Sequence, residues 1–203
     1  MPHAAIIGFM EKPEMHHLPR LSREFYQAFA VVHWTITFED RATGWLDELF
    51  HQYFRELLLH AAAREGLFCP TYCLMPDHIH LMWMGMNVQT DQIVAMKFLR
   101  KHLANEFGKR SRSGKLIKLQ KQSHDHVLRE QDRKRNAFAK ICFYVLANPA
   151  ENKLVVKAED WPFHGAIVPG YPTFHPLEDN FWPLFWEQYE RQREPTPDDV
   201  SGS

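Results

Sequence analysis

The strongest constraint on the fold is the stretch from Leu67 to Gly85, which carries two β-strand patterns on either side of Pro76-Asp77. Proline and aspartate favour a tight turn, so the two strands are predicted to pair in antiparallel fashion. Residues two apart on a strand point to the same side, so His78 and His80 share one face of the second strand. Two imidazoles on one face can hold a divalent metal. Two polar residues on a solvated strand face would show the same spacing.

Periodicity along the rest of the chain predicts an α+β fold. Alternating apolar residues predict strands over 30–38, 67–75 and 78–84, and a further short strand within 116–129. Apolar residues three and four apart predict helices over 45–65, 90–107 and 131–147. The last helix is expected to end before Asn148-Pro149, because proline disfavours helix in the preceding residue. This order predicts an antiparallel sheet of ferredoxin-like character with helices packed on one face.

A chain of 203 residues is long enough for one domain with extensions. We divide it into a lead-in (1–27), a domain (28–165) and a C-terminal extension (166–203) that ends in a disordered tail from residue 195. No apolar stretch approaches the roughly 20 residues that span a membrane. Three cysteines without a CxxC spacing do not suggest a disulfide framework. The sequence therefore favours a cytoplasmic, reducing location and excludes a membrane partner.

The net charge of −1 conceals a basic block over residues 97–140, which holds 14 Lys or Arg and 4 Asp or Glu. A concentrated positive block is typical of proteins that bind a polyanion such as nucleic acid, although a solvated helix face and loop would have the same composition. Residues 108–114 are expected to form a basic flexible loop within this block. The candidate nucleic-acid contacts are Lys97, Arg100, Lys101, Lys109, Arg110, Arg112, Lys115 and Arg129.

A second candidate group lies at the end of the last predicted helix, where Tyr144 and Asn148 are four residues apart and share a face. A tyrosine hydroxyl can attack a phosphodiester when a metal polarises the phosphate. An asparagine oxygen can complete a site for Mg²⁺ or Mn²⁺, which prefer oxygen ligands and accept imidazole. The structural alternatives are a packed aromatic side chain for Tyr144 and a helix cap for Asn148.

Four blocks of the sequence, taken together, resemble the REP-associated tyrosine transposases. These belong to the single-tyrosine HUH transposases, in which U is a hydrophobic residue. The blocks are Met75-Pro-Asp-His-Ile-His80, residues 122–129, Tyr144-Val-Leu-Ala-Asn-Pro149 and Asp160-Trp-Pro-Phe163. They keep the family's order and approximate spacing, and the resemblance covers residues 30–165. Asp77 stands where the family more often has Asn or Glu, and Lys153 stands where it usually has Gly.

The resemblance implies a ferredoxin-like HUH nuclease fold and a role for each matched residue. His78 and His80 match the paired metal ligands, Tyr144 the nucleophile, and Asn148 the position that completes the metal site. The implied activity is metal-dependent cleavage and joining of single-stranded DNA beside hairpin-forming palindromic repeats, through a 5′-phosphotyrosine and a free 3′-hydroxyl. The implied cofactor is Mg²⁺ or Mn²⁺.

Two other functions fit parts of the sequence. One is a domesticated protein that binds a DNA or RNA hairpin without cutting it, and the other is a zinc-dependent hydrolase built on His78, His80 and a third histidine. The sequence does not decide between a monomer and a homodimer, and it does not identify the hairpin.

Overall fold

The computed structural model describes residues 20–110, 117–129 and 135–195, without the side chains of 135–137. Its strands are β1 (Val31–Thr37), β2 (Leu67–Met75), β3 (His78–Gly85), β4 (His124–Leu128) and β5 (His164–Ile167), and its α-helices are α1 (Glu48–Glu65), α2 (Gln92–Arg110), α3 (Arg135–Glu151) and α4 (Phe181–Gln192). Short 3₁₀ turns lie at Arg23–Tyr26, Glu39–Arg41 and Ala158–Asp160. Within these residues, none of the helices combines the length and the apolar character that crossing a membrane requires.

The five strands form one antiparallel sheet in the order β4-β1-β3-β2-β5. The predicted pair of strands around Pro76-Asp77 is confirmed, with Met75 opposite His78 and Leu74 opposite Ile79. Pro70 lies inside β2, where the pairing register shifts against both neighbouring strands. A bulge tolerates a residue that cannot donate a ladder hydrogen bond, so an interior strand can carry this proline.

Alternation along each strand divides the apolar residues between two cores. Trp34 of β1 and Leu81 of β3 point to the face on which α1 and α2 pack, in a core that also holds Phe50, Leu99 and Phe107. Val31 and Met82 point to the opposite face, where they pack with the buried residues of α3 and α4, among them Phe138, Cys142, Phe181 and Phe185. The expectation of helices on one face only is therefore wrong, because both faces of the sheet are apolar and both are covered.

Helix boundaries follow local capping and packing. Asp47 caps α1 by accepting a hydrogen bond from Phe50 N at 2.7 Å, and Gly66 ends the helix with a positive φ of 61°. Helix α2 continues to Arg110 rather than ending at residue 107, because Arg110 pairs with Glu106 one turn earlier and with Asp47 at the start of α1. Residues 108–110 are thus helical, and residues 111–114 of the predicted loop lie outside the described part of the chain.

Helix α3 passes through Pro149, against the expectation that it ends before Asn148. Proline removes only one backbone donor, and the helix beyond it still forms the hydrogen bond from Asn152 N to Asn148 O at 2.9 Å. Val145 and Asn148 are buried on this helix. Packing against the sheet therefore outweighs the local preference.

The C-terminal part of the chain completes the domain. The proposed boundary at residue 165 falls inside β5, which pairs with β2 through Cys73 and His164. Further on, Tyr189 of α4 donates a hydrogen bond to Gly85 O at 2.9 Å. The predicted tail begins at residue 195, and 196–203 lie outside the described residues.

Candidate functional site

The predicted histidine pair lies on β3, on the face covered by α3. His78 is partly buried and His80 is 7% exposed. Their Nε2 atoms are 2.9 Å apart. Two ring nitrogens at this separation must share a proton or a cation, because two facing lone pairs repel each other.

The remaining ring nitrogen of each histidine has a partner of its own. His78 Nδ1 lies 2.6 Å from Asp77 Oδ1. His80 Nδ1 lies 3.2 Å from Thr35 Oγ1 and 3.1 Å from His33 Nε2, both on β1. Partners at Nδ1 fix the ring orientation and leave Nε2 as the atom that can bind a metal.

Burial keeps His80 and His33 uncharged. Desolvation, helped by the nearby His78 and His33, lowers the pKa of His80 to about 3. Desolvation, with a smaller contribution from His126, lowers the pKa of His33 to about 4. Near pH 7 both rings are neutral, which is the form that binds metal ions.

Tyr144 lies beside the histidine pair. Its ring centre is 6.5 Å from that of His80, with the rings close to perpendicular. The side chain is 52% exposed, so it is not the packed core aromatic of the structural alternative. Val145, the next residue, is fully buried in a cluster with Cys73, Met75 and Trp161, which fixes α3 against β2. The helix therefore buries one side of this segment and leaves the tyrosine accessible.

Asn148 lies one turn after Tyr144 and is 5% exposed. It lies within α3 rather than at its end, so it is not a helix C-cap. Its Oδ1 accepts a hydrogen bond from Asn152 Nδ2 at 3.2 Å, and the same Nδ2 donates to Asn148 O at 2.9 Å. Asn152 thus orients the Asn148 amide. The only signal of this contact in the sequence is that the two residues are four apart on a helix.

The donor set fits a two-imidazole metal site. Two neighbouring ligands of an octahedral ion, each about 2.1 Å from the metal, are roughly 3.0 Å apart, close to the separation of the two Nε2 atoms. Among the described residues, no group of three or more His, Cys, Asp or Glu side chains is arranged to hold a metal. A third protein ligand from this part of the chain would therefore come from another kind of group, which argues against a zinc site built on three histidines.

The edge strand β4 adds two more histidines to the same face. His126 is the register partner of His33, and His124 is the partner of Thr35. Both β4 histidines are exposed at the protein surface. Sequence analysis missed the contacts that Thr35 and Asp77 make with the metal-ligand candidates. The alternation of β1 was a usable signal for Thr35, because it places this residue on the side of His33.

The candidate DNA-contact residues on α2 are not gathered around the histidines. Helix α2 packs through Leu99 and Leu103 on the opposite face of the sheet, so its exposed residues Lys97, Lys101 and Lys109 lie across the sheet from Tyr144. Arg129 is exposed just after β4, the edge strand that pairs with β1 on the side away from β3. Arg112 and Lys115 lie outside the described residues.

Two of the predicted DNA contacts have structural partners within the protein. Arg100 donates hydrogen bonds to Ser123 Oγ at 2.8 Å and to Gln120 O, so it ties α2 to the segment before β4. Arg110 forms ion pairs with Glu106 and Asp47, and its guanidinium lies over the Phe50 ring. Both arginines thus have a structural role, and their contact with DNA stays a prediction.

Comparison with known proteins identifies the fold. No protein-family model matches the chain, and no curated protein matches its sequence. Among solved structures, the chain is similar to a REP-associated tyrosine transposase bound to a REP hairpin, with a TM-score of 0.59 and 19% identity over 74% of this chain and 82% of that one. A bacterial tRNA(His) guanylyltransferase-like protein in complex with GTP has a TM-score of 0.38 at 12% identity, covering 64% of this chain and 73% of that one, which is too low to support an argument. The predicted fold class is thus confirmed: an α+β, HUH-like fold with a five-stranded antiparallel sheet, similar to that of a REP-associated tyrosine transposase.

Proposed function

We propose that this protein is a metal-dependent, single-tyrosine enzyme that cleaves and rejoins single-stranded DNA beside hairpin-forming repeats. The observation that carries the proposal is the juxtaposition of an exposed tyrosine with a pair of histidines whose Nε2 atoms face each other. The fold it shares with a transposase that was captured on a REP hairpin supports the choice of substrate.

The proposed reaction is a transesterification. Tyr144 Oη attacks the phosphorus of a DNA phosphodiester and loses its proton, a bond forms between Oη and phosphorus, and the bond from phosphorus to the 3′-oxygen breaks. The 3′-oxygen takes up a proton and leaves as a hydroxyl, while the 5′-phosphate stays on the tyrosine. Attack by a DNA 3′-hydroxyl on this phosphotyrosine reverses the step and joins strands. No water or nucleotide is consumed.

His78 and His80 would hold the metal through Nε2, with Asn148 Oδ1 as the third protein ligand once its contact with Asn152 is exchanged. Mg²⁺ or Mn²⁺ bound there would polarise the phosphate and stabilise the charge on the leaving oxygen. The protein's own contribution is position: α3 holds Tyr144 beside the imidazoles, and the neutral His80 keeps its lone pair.

The test is a denaturing-gel assay with labelled single-stranded hairpin DNA taken from repeats that flank the gene, in the presence of Mg²⁺ or Mn²⁺. Wild type is expected to yield one fragment with a free 3′-hydroxyl and a second fragment linked to the protein through its 5′-phosphate. Tyr144→Phe is expected to lose both products and keep hairpin binding, since only the nucleophilic oxygen is removed. Tyr53→Phe, on a helix that packs against the opposite face of the sheet, is the matched control and should cut normally.

Each failure has a distinct meaning. Cleavage that persists in Tyr144→Phe would refute the nucleophile assignment. Hairpin binding by wild type without any cleavage would favour the domesticated hairpin-binding protein. Absence of both binding and cleavage would refute the proposed substrate.

A further inference from the structure

We propose that Asp77, held in place by Arg41, is a positioning residue that fixes His78 for metal binding and makes His78 the tighter of the two imidazole ligands. This inference rests on the proposed metal site. It concerns Asp77 and Arg41, neither of which is a proposed metal ligand.

The Asp77 carboxylate uses one oxygen for each neighbour. Oδ1 lies 2.6 Å from His78 Nδ1, and Oδ2 lies 3.1 Å from Arg41 Nη1. A distance this short is typical of a charge-assisted hydrogen bond. Because a carboxylate can only accept a hydrogen bond, the proton must be on His78 Nδ1. With the Nδ1 proton donated to Asp77, Nε2 is the ring atom left to bind a metal, and it faces His80.

The turn that presents Arg41 is strained. Asp40 and Arg41 have φ values of 53° and 51°, and both are non-glycine residues in the left-handed region. A side chain disfavours this backbone conformation, because its Cβ crowds the neighbouring carbonyl. The ion pair that results does not offset this cost, since the Arg41 side chain is 64% exposed and exposed pairs contribute little to stability. Backbone hydrogen bonds hold the turn, including Glu39 N to Lys118 O at 2.8 Å. A strained turn whose ion pair adds little stability fits a role in positioning.

The two histidines therefore have different support. His78 has a carboxylate behind Nδ1, whereas the neighbours of His80 Nδ1 are a hydroxyl and a neutral imidazole. A carboxylate behind a metal-binding histidine raises the ligand's basicity, and losing such a partner typically weakens metal binding 10–100-fold. We expect Asp77 to have an effect of this size and the neutral partner Thr35 to have a smaller one.

The experiment titrates Mn²⁺ into the full chain by calorimetry. Asp77→Ala is expected to weaken binding about 10–100-fold. Asp77→Asn should weaken Mn²⁺ binding less than Asp77→Ala, because its amide oxygen still accepts a hydrogen bond from His78 Nδ1–H. The Asn variant also provides the test if the alanine variant fails to fold. Arg41→Ala should weaken binding less than Asp77→Ala. Glu159→Ala, which breaks the exposed Lys157–Glu159 pair, is the control and should leave the affinity unchanged.

A second readout needs no metal. Nitrogen-15 NMR of the metal-free histidine rings should show His78 protonated at Nδ1 in wild type and in Asp77→Asn, and a mixture of tautomers in Asp77→Ala. Mn²⁺ binding that is lost in His78→Ala but unchanged in both Asp77 variants would overturn the inference while leaving the metal site intact. Wild type that binds no Mn²⁺ would refute the metal site, and the inference with it.

Discussion

Tyr72→Phe should destabilise the protein strongly, although it removes a single oxygen. The Tyr72 side chain is fully buried, and its hydroxyl lies 2.8 Å from both Arg55 Nη1 and His51 Nε2. The guanidinium donates to the oxygen, so the hydroxyl proton is free to bond the imidazole. A hydrogen bond from a charged donor contributes about 1.5–3 kcal/mol and a neutral one about 0.5–1.5 kcal/mol. The expected loss in the free energy of unfolding is therefore about 2–4 kcal/mol.

Thermal and urea unfolding followed by circular dichroism would measure this loss. For a chain of this size, each kcal/mol lowers Tm by about 2–4 °C, so the variant should melt about 5–15 °C below wild type. Tyr53→Phe is the control, because that hydroxyl makes only a long 3.4 Å contact with His102 O. It should lie within about 0.5 kcal/mol of wild type. A Tyr72→Phe variant equally close to wild type would refute the assignment of this network as a stabilising one.

Three further predictions address the metal, acid stability and the basic residues. Mn²⁺ at 100 times Kd should stabilise wild type by about 2.7 kcal/mol and raise its Tm, but it should leave the Tm of His80→Ala unchanged. Equal shifts of Tm in the two proteins would show that the metal binds elsewhere. Burial, with help from Arg55, lowers the pKa of His51 to about 4. The folded state therefore favours the neutral ring, and the free energy of unfolding decreases as pH falls from about 6.5 to 4. In that pH range, His51→Gln should reduce the slope of the free energy of urea unfolding against pH by up to about 1.4 kcal/mol per pH unit. An unchanged slope would contradict the lowered pKa of His51. Arg100→Ala should lower the free energy of unfolding by about 1–3 kcal/mol, because the variant loses the hydrogen bonds to the segment before β4. Lys97→Ala should leave stability unchanged and only reduce the salt dependence of DNA binding. A stability loss in Lys97→Ala with none in Arg100→Ala would contradict both assignments.

The sequence predicted those elements whose signal is local. The alternation in β1 and β3 and the three- and four-residue spacing of apolar residues in α1 predicted three elements to within a few residues. The shared face of His78 and His80 follows from strand geometry alone. Their approach to Tyr144 was expected only from the family resemblance, since the contact joins positions more than 60 residues apart.

The errors came from contacts between distant segments. Pro149 remains inside α3 because tertiary packing compensates for one lost hydrogen bond. The sequence likewise could not show that Arg100 and Arg110 have partners in segments distant along the chain, while their contact with DNA stays a prediction. Helices on both faces could not be inferred either, because β5 and α4 lie in a stretch rich in proline and aromatic residues without a clear period.

The pairing of β5 with β2 has a consequence for any shortened form of this protein. A chain ending near residue 163 would keep His78, His80 and Tyr144 but leave the outer edge of β2 without a neighbouring strand. It would also uncover the apolar surface over which Phe181 and Phe185 lie. Unpaired strand edges recruit further strands from other molecules. Such a fragment should therefore self-associate, so losing the last 40 or so residues, by proteolysis or by an early stop, would remove the protein from solution even though these three side chains are retained.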